Sequence, residues 1–123
     1  MILVDTSVWI DHLRIANKTL AAFLDSTEVL IHPFVMGELA LGGLRQRQFL
    51  LDALRGLPKA VVASHDEVLD FIDRYKLFGA GIGYVDAHLL AASRLTADTR
   101  LWTRDKRLQN AAFRLGLAAN SPA

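Results

Sequence analysis

The chain of 123 residues has no cysteine, which excludes disulfides, cysteine-bound zinc and a thiol nucleophile, and removes any need for an oxidising compartment. It has no run of eighteen apolar residues to cross a membrane and no basic, then apolar, leader ahead of its first ordered segment, so a cytoplasmic location without membrane association is expected. A large charge of one sign is also missing, the formal net charge being only +1. That balance does not by itself announce a nucleic-acid binder. The distribution is uneven, however: residues 1–93 carry eight basic and eleven acidic side chains, and residues 94–123 carry six basic and only two acidic. The basic residues of that last quarter, Arg100, Arg104, Lys106 and Arg107 among them, form a local surface able to attract a polyanion.

What is present is apolar substance, 52% of the residues, enough for one domain spanning 1–123 with a core of its own. Ile2-Leu3-Val4 is a short, wholly apolar, β-favouring run, as expected of a strand buried on both sides of a parallel sheet. Further strands are expected at 28–31, 60–62 and 100–103, with a weak fifth around Leu117 before a polar tail. Helical patterns occupy 7–14, 18–24, 34–41 after Pro33, 45–54, 84–95 and 105–115. Another helix opens with the capping box Ser64-His65-Asp66-Glu67 and runs to Tyr75. No repeat or linker divides the chain. Short strands separated by helices predict βαβ units: a three-layer α/β/α domain around a central parallel sheet of four to five strands.

Four acids stand out against this pattern. Asp5 ends the first strand abruptly, and Asp105 follows the last by two residues. Glu38 is the only polar side chain in Phe34-Val35-Met36-Gly37-Glu38-Leu39-Ala40-Leu41, a helix that reads as apolar all round and hence buried. Asp86 lies in the first turn of the helix at 84–95. Parallel strands end at one edge, and the crossover helices begin there, so all four carboxylates are expected to converge. Two carboxylates about 5 Å apart repel by roughly 3 kcal/mol at an effective dielectric of about 20, so such a cluster keeps extra protons or binds cations. Oxygen-only donors favour Mg²⁺ or Mn²⁺ over zinc, and metal-assisted hydrolysis of a phosphodiester follows as the chemistry. Thr6, Ser7 and Thr103 are placed to support the acids or a bound water. Each acid also has a plain structural reading. Asp5 and Asp105 are placed to cap helices, Asp86 to complement a helix dipole, and Glu38 to pair with His12, His32 or an arginine. His88 reads as a core histidine, and Gly79 to Gly83 as a hinge that lets Asp86 approach.

The segments Ile2-Leu3-Val4-Asp5-Thr6-Ser7-Val8-Trp9-Ile10, Gly37-Glu38-Leu39, Gly83-Tyr84-Val85-Asp86-Ala87-His88-Leu89-Leu90-Ala91-Ala92 and Leu101-Trp102-Thr103-Arg104-Asp105-Lys106-Arg107-Leu108, in this order and spacing, resemble the PIN-domain ribonucleases, and within them the VapC toxins of toxin–antitoxin pairs. The resemblance implies metal-site roles for Asp5, Glu38, Asp86 and Asp105, with Thr6 or Ser7 and Thr103 in support. It implies endoribonuclease activity on structured RNA such as tRNA or ribosomal RNA loops. It further implies a homodimer and a VapB-like antitoxin whose complex binds operator DNA. In-line attack by water would leave a 5′-phosphate and a 3′-hydroxyl. A non-catalytic binding or regulatory module on the same fold is the alternative. A phosphoacceptor receiver domain fits less well, because Thr6 and Ser7 stand where it needs a second acid and no acid tips the strand at 60–62.

Overall fold

The computed structural model describes residues 1–119; the polar tail read at 120–123 lies outside the described residues. Three strands, β1 (Ile2–Val4), β2 (Val29–Leu30) and β3 (Arg100–Trp102), form a parallel sheet in the order β2-β1-β3, so the first strand made is the central one. Successive side chains of a strand point to opposite faces, and Leu3 and Val4 are both completely buried, so the sheet is covered on both sides. The cover is supplied by seven helices: α1 (Thr6–Arg14), α2 (Lys18–Asp25), α3 (Pro33–Leu41), α4 (Arg47–Arg55), α5 (His65–Arg74), α6 (Tyr84–Leu95) and α7 (Lys106–Arg114). None of the helices among the described residues is long and apolar enough to cross a membrane.

The sheet is smaller than the four to five strands that the sequence predicts. The expected strand at 60–62 is reduced to one parallel bridge between Ile31 and Lys59, and the fifth to one between Leu101 and Ala118. Backbone chemistry accounts for the first reduction. The Ile31 N–H donates to the carbonyl of Pro58 and Ala60 donates back to Ile31, but the next bond in this register needs an N–H from residue 33, which is proline. The ladder stops there; the Val61 N–H, on the other side of the segment, goes to Thr96 Oγ1 at 2.9 Å, and Val61 and Val62 are left exposed. The bridge at Ala118 has partners on one strand only, Leu101 exchanging bonds with Leu117 and Ala119.

Helix boundaries follow local signals closely. Pro33 takes the first position of α3, where its missing N–H is not needed, while the His32 ring caps the helix by accepting the Phe34 N–H at Nδ1, 3.1 Å. The capping box of α5 is complete: Ser64 Oγ accepts the Glu67 N–H, and the Glu67 carboxylate accepts the Ser64 N–H at 2.8 Å. The Ser64 N–H, and after it the Ser64 hydroxyl, hold the Glu67 carboxyl below its usual range. Ser64→Ala removes half of this reciprocal pair and is expected to cost about 1 kcal/mol, seen as a lower urea midpoint with an unchanged slope.

Candidate metal centre

The carboxyl edge of the sheet is where the site forms. β1 ends at Val4, the Asp5 N–H continues the ladder by donating to the Trp102 carbonyl at 2.9 Å, and α1 starts at once. Asp5 is therefore fixed by its own backbone, only 7% exposed, with its side chain turned along the edge. Its Oδ2 accepts two hydroxyl bonds, from Ser7 at 2.8 Å and from Thr103 at 2.7 Å. Hydrogen bonds of this length lock the rotamer of the Asp5 side chain. The other carboxylate oxygen takes no side-chain hydrogen bond among the described residues. Ser7 Oγ in turn accepts the Arg104 N–H, and Thr103 Oγ1 accepts the Asp105 N–H, so two hydroxyls tie the end of β1 to the turn after β3.

The remaining acids arrive on helix starts. Asp105 precedes α7 and caps it, its Oδ1 accepting the Leu108 N–H at 3.0 Å, so the plain reading is correct as far as one oxygen goes. Asp86, in the first turn of α6, accepts the Gly83 N–H at 3.1 Å. Glu38 lies on α3, and its Oε1 accepts the Thr6 hydroxyl at 2.7 Å; no pair with His12, His32 or an arginine forms. Asp5, in contrast, makes no side-chain cap to α1 despite standing at its N-cap.

The Asp86 carboxyl is pushed above its usual range, first by burial and then by the negative charges of Asp5, Asp105 and Glu38, against the pull of the Gly83 N–H. The four side chains nevertheless stand apart: among the described residues no three acids or histidines are close enough to form a ready cation cage. Donor chemistry still fits a hard divalent ion, because every candidate ligand is a carboxylate oxygen and each acid is held through only one of its two oxygens.

Several sequence expectations need correction here. Glu38 is exposed, and α3 is not buried all round: Leu41 is 90% exposed and Phe34 borders on exposed. An apolar composition without a polar stripe identifies a buried helix only when neighbours cover every side, and α3 turns one apolar side outward. The basic residues also separate. Arg100 starts β3, its N–H donating to the Met1 carbonyl, and so lies at the opposite edge of the sheet from the acids. Arg104 is at the correct edge, but its guanidinium is paired with Asp11 at 2.7 Å. Lys106 and Arg107 open α7 beside Asp105 and are exposed.

One constellation escapes the sequence altogether. The Tyr84 hydroxyl lies 2.6 Å from His65 Nδ1 and 2.9 Å from His88 Nε2, joining the starts of α5 and α6 one turn from Asp86. His88 packs edge-on to Phe34 and beside the fully buried His32. His32 accepts at Nδ1, which puts its proton on Nε2, a buried donor without a partner; His88 Nδ1 is likewise unpaired. The four-residue spacing of Tyr84 and His88 on one helix was the only local signal, since His65 lies nineteen residues away.

Comparison with known proteins identifies the family and the fold. The PIN domain family matches residues 2–114. Ribonuclease VapC32 from two strains of Mycobacterium tuberculosis, CDC 1551 / Oshkosh and ATCC 25618 / H37Rv, is 51% identical over 118 residues, covering 96% of this chain and 95% of the relative. The fold is shared with the crystal structure of FitAcB from Neisseria gonorrhoeae (TM-score 0.65, 23% identity, 99% of this chain and 98% of that one). It is shared also with PAE2754 from Pyrobaculum aerophilum (TM-score 0.57, 16% identity, 94% and 88%).

Proposed function

This chain belongs to the PIN-domain family, among its VapC-type ribonucleases, and on that premise we propose that it is a divalent-metal-dependent endoribonuclease toxin acting through Asp5, Glu38, Asp86 and Asp105. Its substrates on this reading are loops of structured RNA, in tRNA or ribosomal RNA, and a VapB-like antitoxin restrains it. The observation that supports the reading most is the arrival of Asp5, Asp86 and Asp105 at one edge of the sheet, with the Asp86 carboxyl raised first by burial and then by the charges of Asp5, Asp105 and Glu38, a repulsion that a cation would relieve.

Mg²⁺ or Mn²⁺ would be held by those four carboxylates, supplying when bound a more acidic water and neutralisation of charge on the phosphate. The chain's own residues do the positioning. Thr103 and Ser7 fix one oxygen of Asp5 and leave the other for the cation. Thr6 does the same for Glu38, and the Leu108 and Gly83 N–H groups do so for Asp105 and Asp86. The cation would have to draw together acids that now stand apart, so binding is coupled to side-chain rotation at the edge.

A homodimer and the antitoxin enter as partners that this family membership suggests, with operator DNA bound only through the antitoxin complex. Apolar side chains left exposed on α1 and α3, Ile10, Leu13, Phe34 and Leu41, provide surface that such partners would cover.

The test is incubation of the purified, antitoxin-free protein with total cellular RNA, in Mg²⁺ or in chelator, with mapping of new ends. Discrete Mg²⁺-dependent cuts ending in a 5′-phosphate and a 3′-hydroxyl are expected. A 2′,3′-cyclic phosphate would mean that the RNA's own 2′-hydroxyl attacked, overturning the hydrolytic reading. Absence of cuts on any RNA would favour the non-catalytic module.

A further inference from the structure

Arg107 occupies a position that the metal chemistry does not use. It is the second residue of α7, two beyond Asp105, and its side chain lies along the backbone of Gly81. A Cβ at Gly81 would fall 2.8 Å from Arg107 Cδ and 2.9 Å from Nη1, so a side chain there would push the end of the arginine away. The φ of Gly81, +78°, is also one that side chains rarely adopt. Glycine is required for the turn, and with no side chain at this position the Arg107 side chain rests directly against its backbone.

The loop under the guanidinium leads directly to the acidic edge, since Gly83 donates its N–H to Asp86. Arg107 thus joins the two segments that present Asp86 and Asp105. It does not neutralise them: among the described residues it forms no ion pair, and the charges acting on Asp86 are all acidic. Arg104 differs, because Asp11 already satisfies it. An arginine braced on a glycine backbone, beside a carboxylate cluster and without an acidic partner, has its planar donors prepared for an anion.

We propose that Arg107, braced against Gly81, grips a backbone phosphate of the RNA next to the one held at the acidic edge. This rests on the nuclease reading above and names one contact within it. The braced arginine draws a second phosphate to a position where the acids alone would repel it, and it fixes how the strand enters the site. Because phosphates carry no sequence, the grip sets the strand's register without selecting bases.

The experiment measures binding of fluorescein-labelled bulk tRNA to the cleavage-deficient Asp5→Asn protein across a salt series, alone and with Arg107→Ala, Arg104→Ala or Gly81→Ala added. Arg107→Ala should weaken binding several-fold and reduce the slope of log affinity against log salt by about 0.7 to 1, the signature of one lost phosphate contact. Arg104→Ala should leave the slope unchanged. Gly81→Ala should weaken binding when Arg107 is present and add little when Arg107 is already alanine, which separates a displaced guanidinium from a generally damaged loop. A slope unaffected by Arg107→Ala in a parent that binds tRNA overturns the inference alone. A parent that shows no salt-dependent RNA binding overturns the nuclease reading and this contact with it.

Discussion

Replacing Asp5 by asparagine should lower RNA cleavage by about 10²- to 10³-fold, the usual loss on removing one preorganised charge from a reacting centre. The reason lies in how Asp5 is held. Its backbone belongs to the sheet ladder, and two hydroxyls, from Ser7 and Thr103, hold one carboxylate oxygen, so the site cannot substitute another acid by rotating a neighbour into its place. Asparagine keeps the shape, and its amide oxygen still accepts from the two hydroxyls, so the fold is expected to survive. Removing a negative charge also relieves Asp86, whose carboxyl Asp5 helps to raise. The thermal midpoint of the metal-free variant should therefore hold or rise while activity disappears. Cleavage assays on total RNA beside a thermal melt test both halves. Activity within tenfold of the parent, in a variant that is folded, would remove Asp5 from the site.

Acid should destabilise the protein well above the range in which its carboxylates titrate, and His32 is the main cause. Burial, with a smaller contribution from the charge of His88, lowers its pKa from 6.5 to about 4. A histidine held below its unfolded value favours folding fully above about pH 6.5, and that contribution fades as pH falls toward 4, because the unfolded chain takes up a proton that the folded one refuses. From the two pKa values the loss at pH 5 is about 2 kcal/mol, a large share of a small domain's stability. His88, lowered by burial and then by His65, and His12, lowered by burial, act in the same direction; Asp86, with its raised carboxyl, acts in the opposite one. His32→Asn keeps an acceptor at the N-cap of α3 and removes the titration. Urea unfolding at pH 7 and pH 5 should show the parent's loss shrinking by about 2 kcal/mol in the variant. An equal loss in both would mean that His32 is not the group that refuses the proton.

Much of this arrangement was legible in the residues, for reasons that are local. Capping chemistry marks the helix starts: Pro33, the Ser64 box and the glycines before Tyr84 act through their nearest neighbours, and all seven helices follow. The positions of Asp5 and Asp105 were legible because a carboxylate just past a short apolar strand has one place to be in a parallel sheet. Misreadings arose where the outcome depends on distant contacts. Pro33 helps to start a helix but also ends the ladder that Val61 and Val62 would otherwise extend, and Thr96 takes the Val61 N–H on the other side. Exposure of Glu38 and Leu41 depends on what fails to cover α3, which no window of sequence contains. Asp11 claims Arg104 across the sheet edge, and Tyr84 reaches His65 across two helices. Composition described the basic quarter as one surface, whereas strand direction sends Arg100 to one end and Arg107 to the other.

The short bond between Asp5 and Thr103 closes a loop of 98 residues, and every strand pair beside it is parallel. Central β1 is synthesised first and obtains its second neighbour only when β3 emerges. No hairpin can assemble the sheet early, so folding waits on loop closure across most of the chain. Until β3 is in place Asp5 lacks both the Trp102 carbonyl that its N–H donates to and the Thr103 hydroxyl that orients its side chain. The acidic edge is thus completed late, once residues 98 positions apart have met.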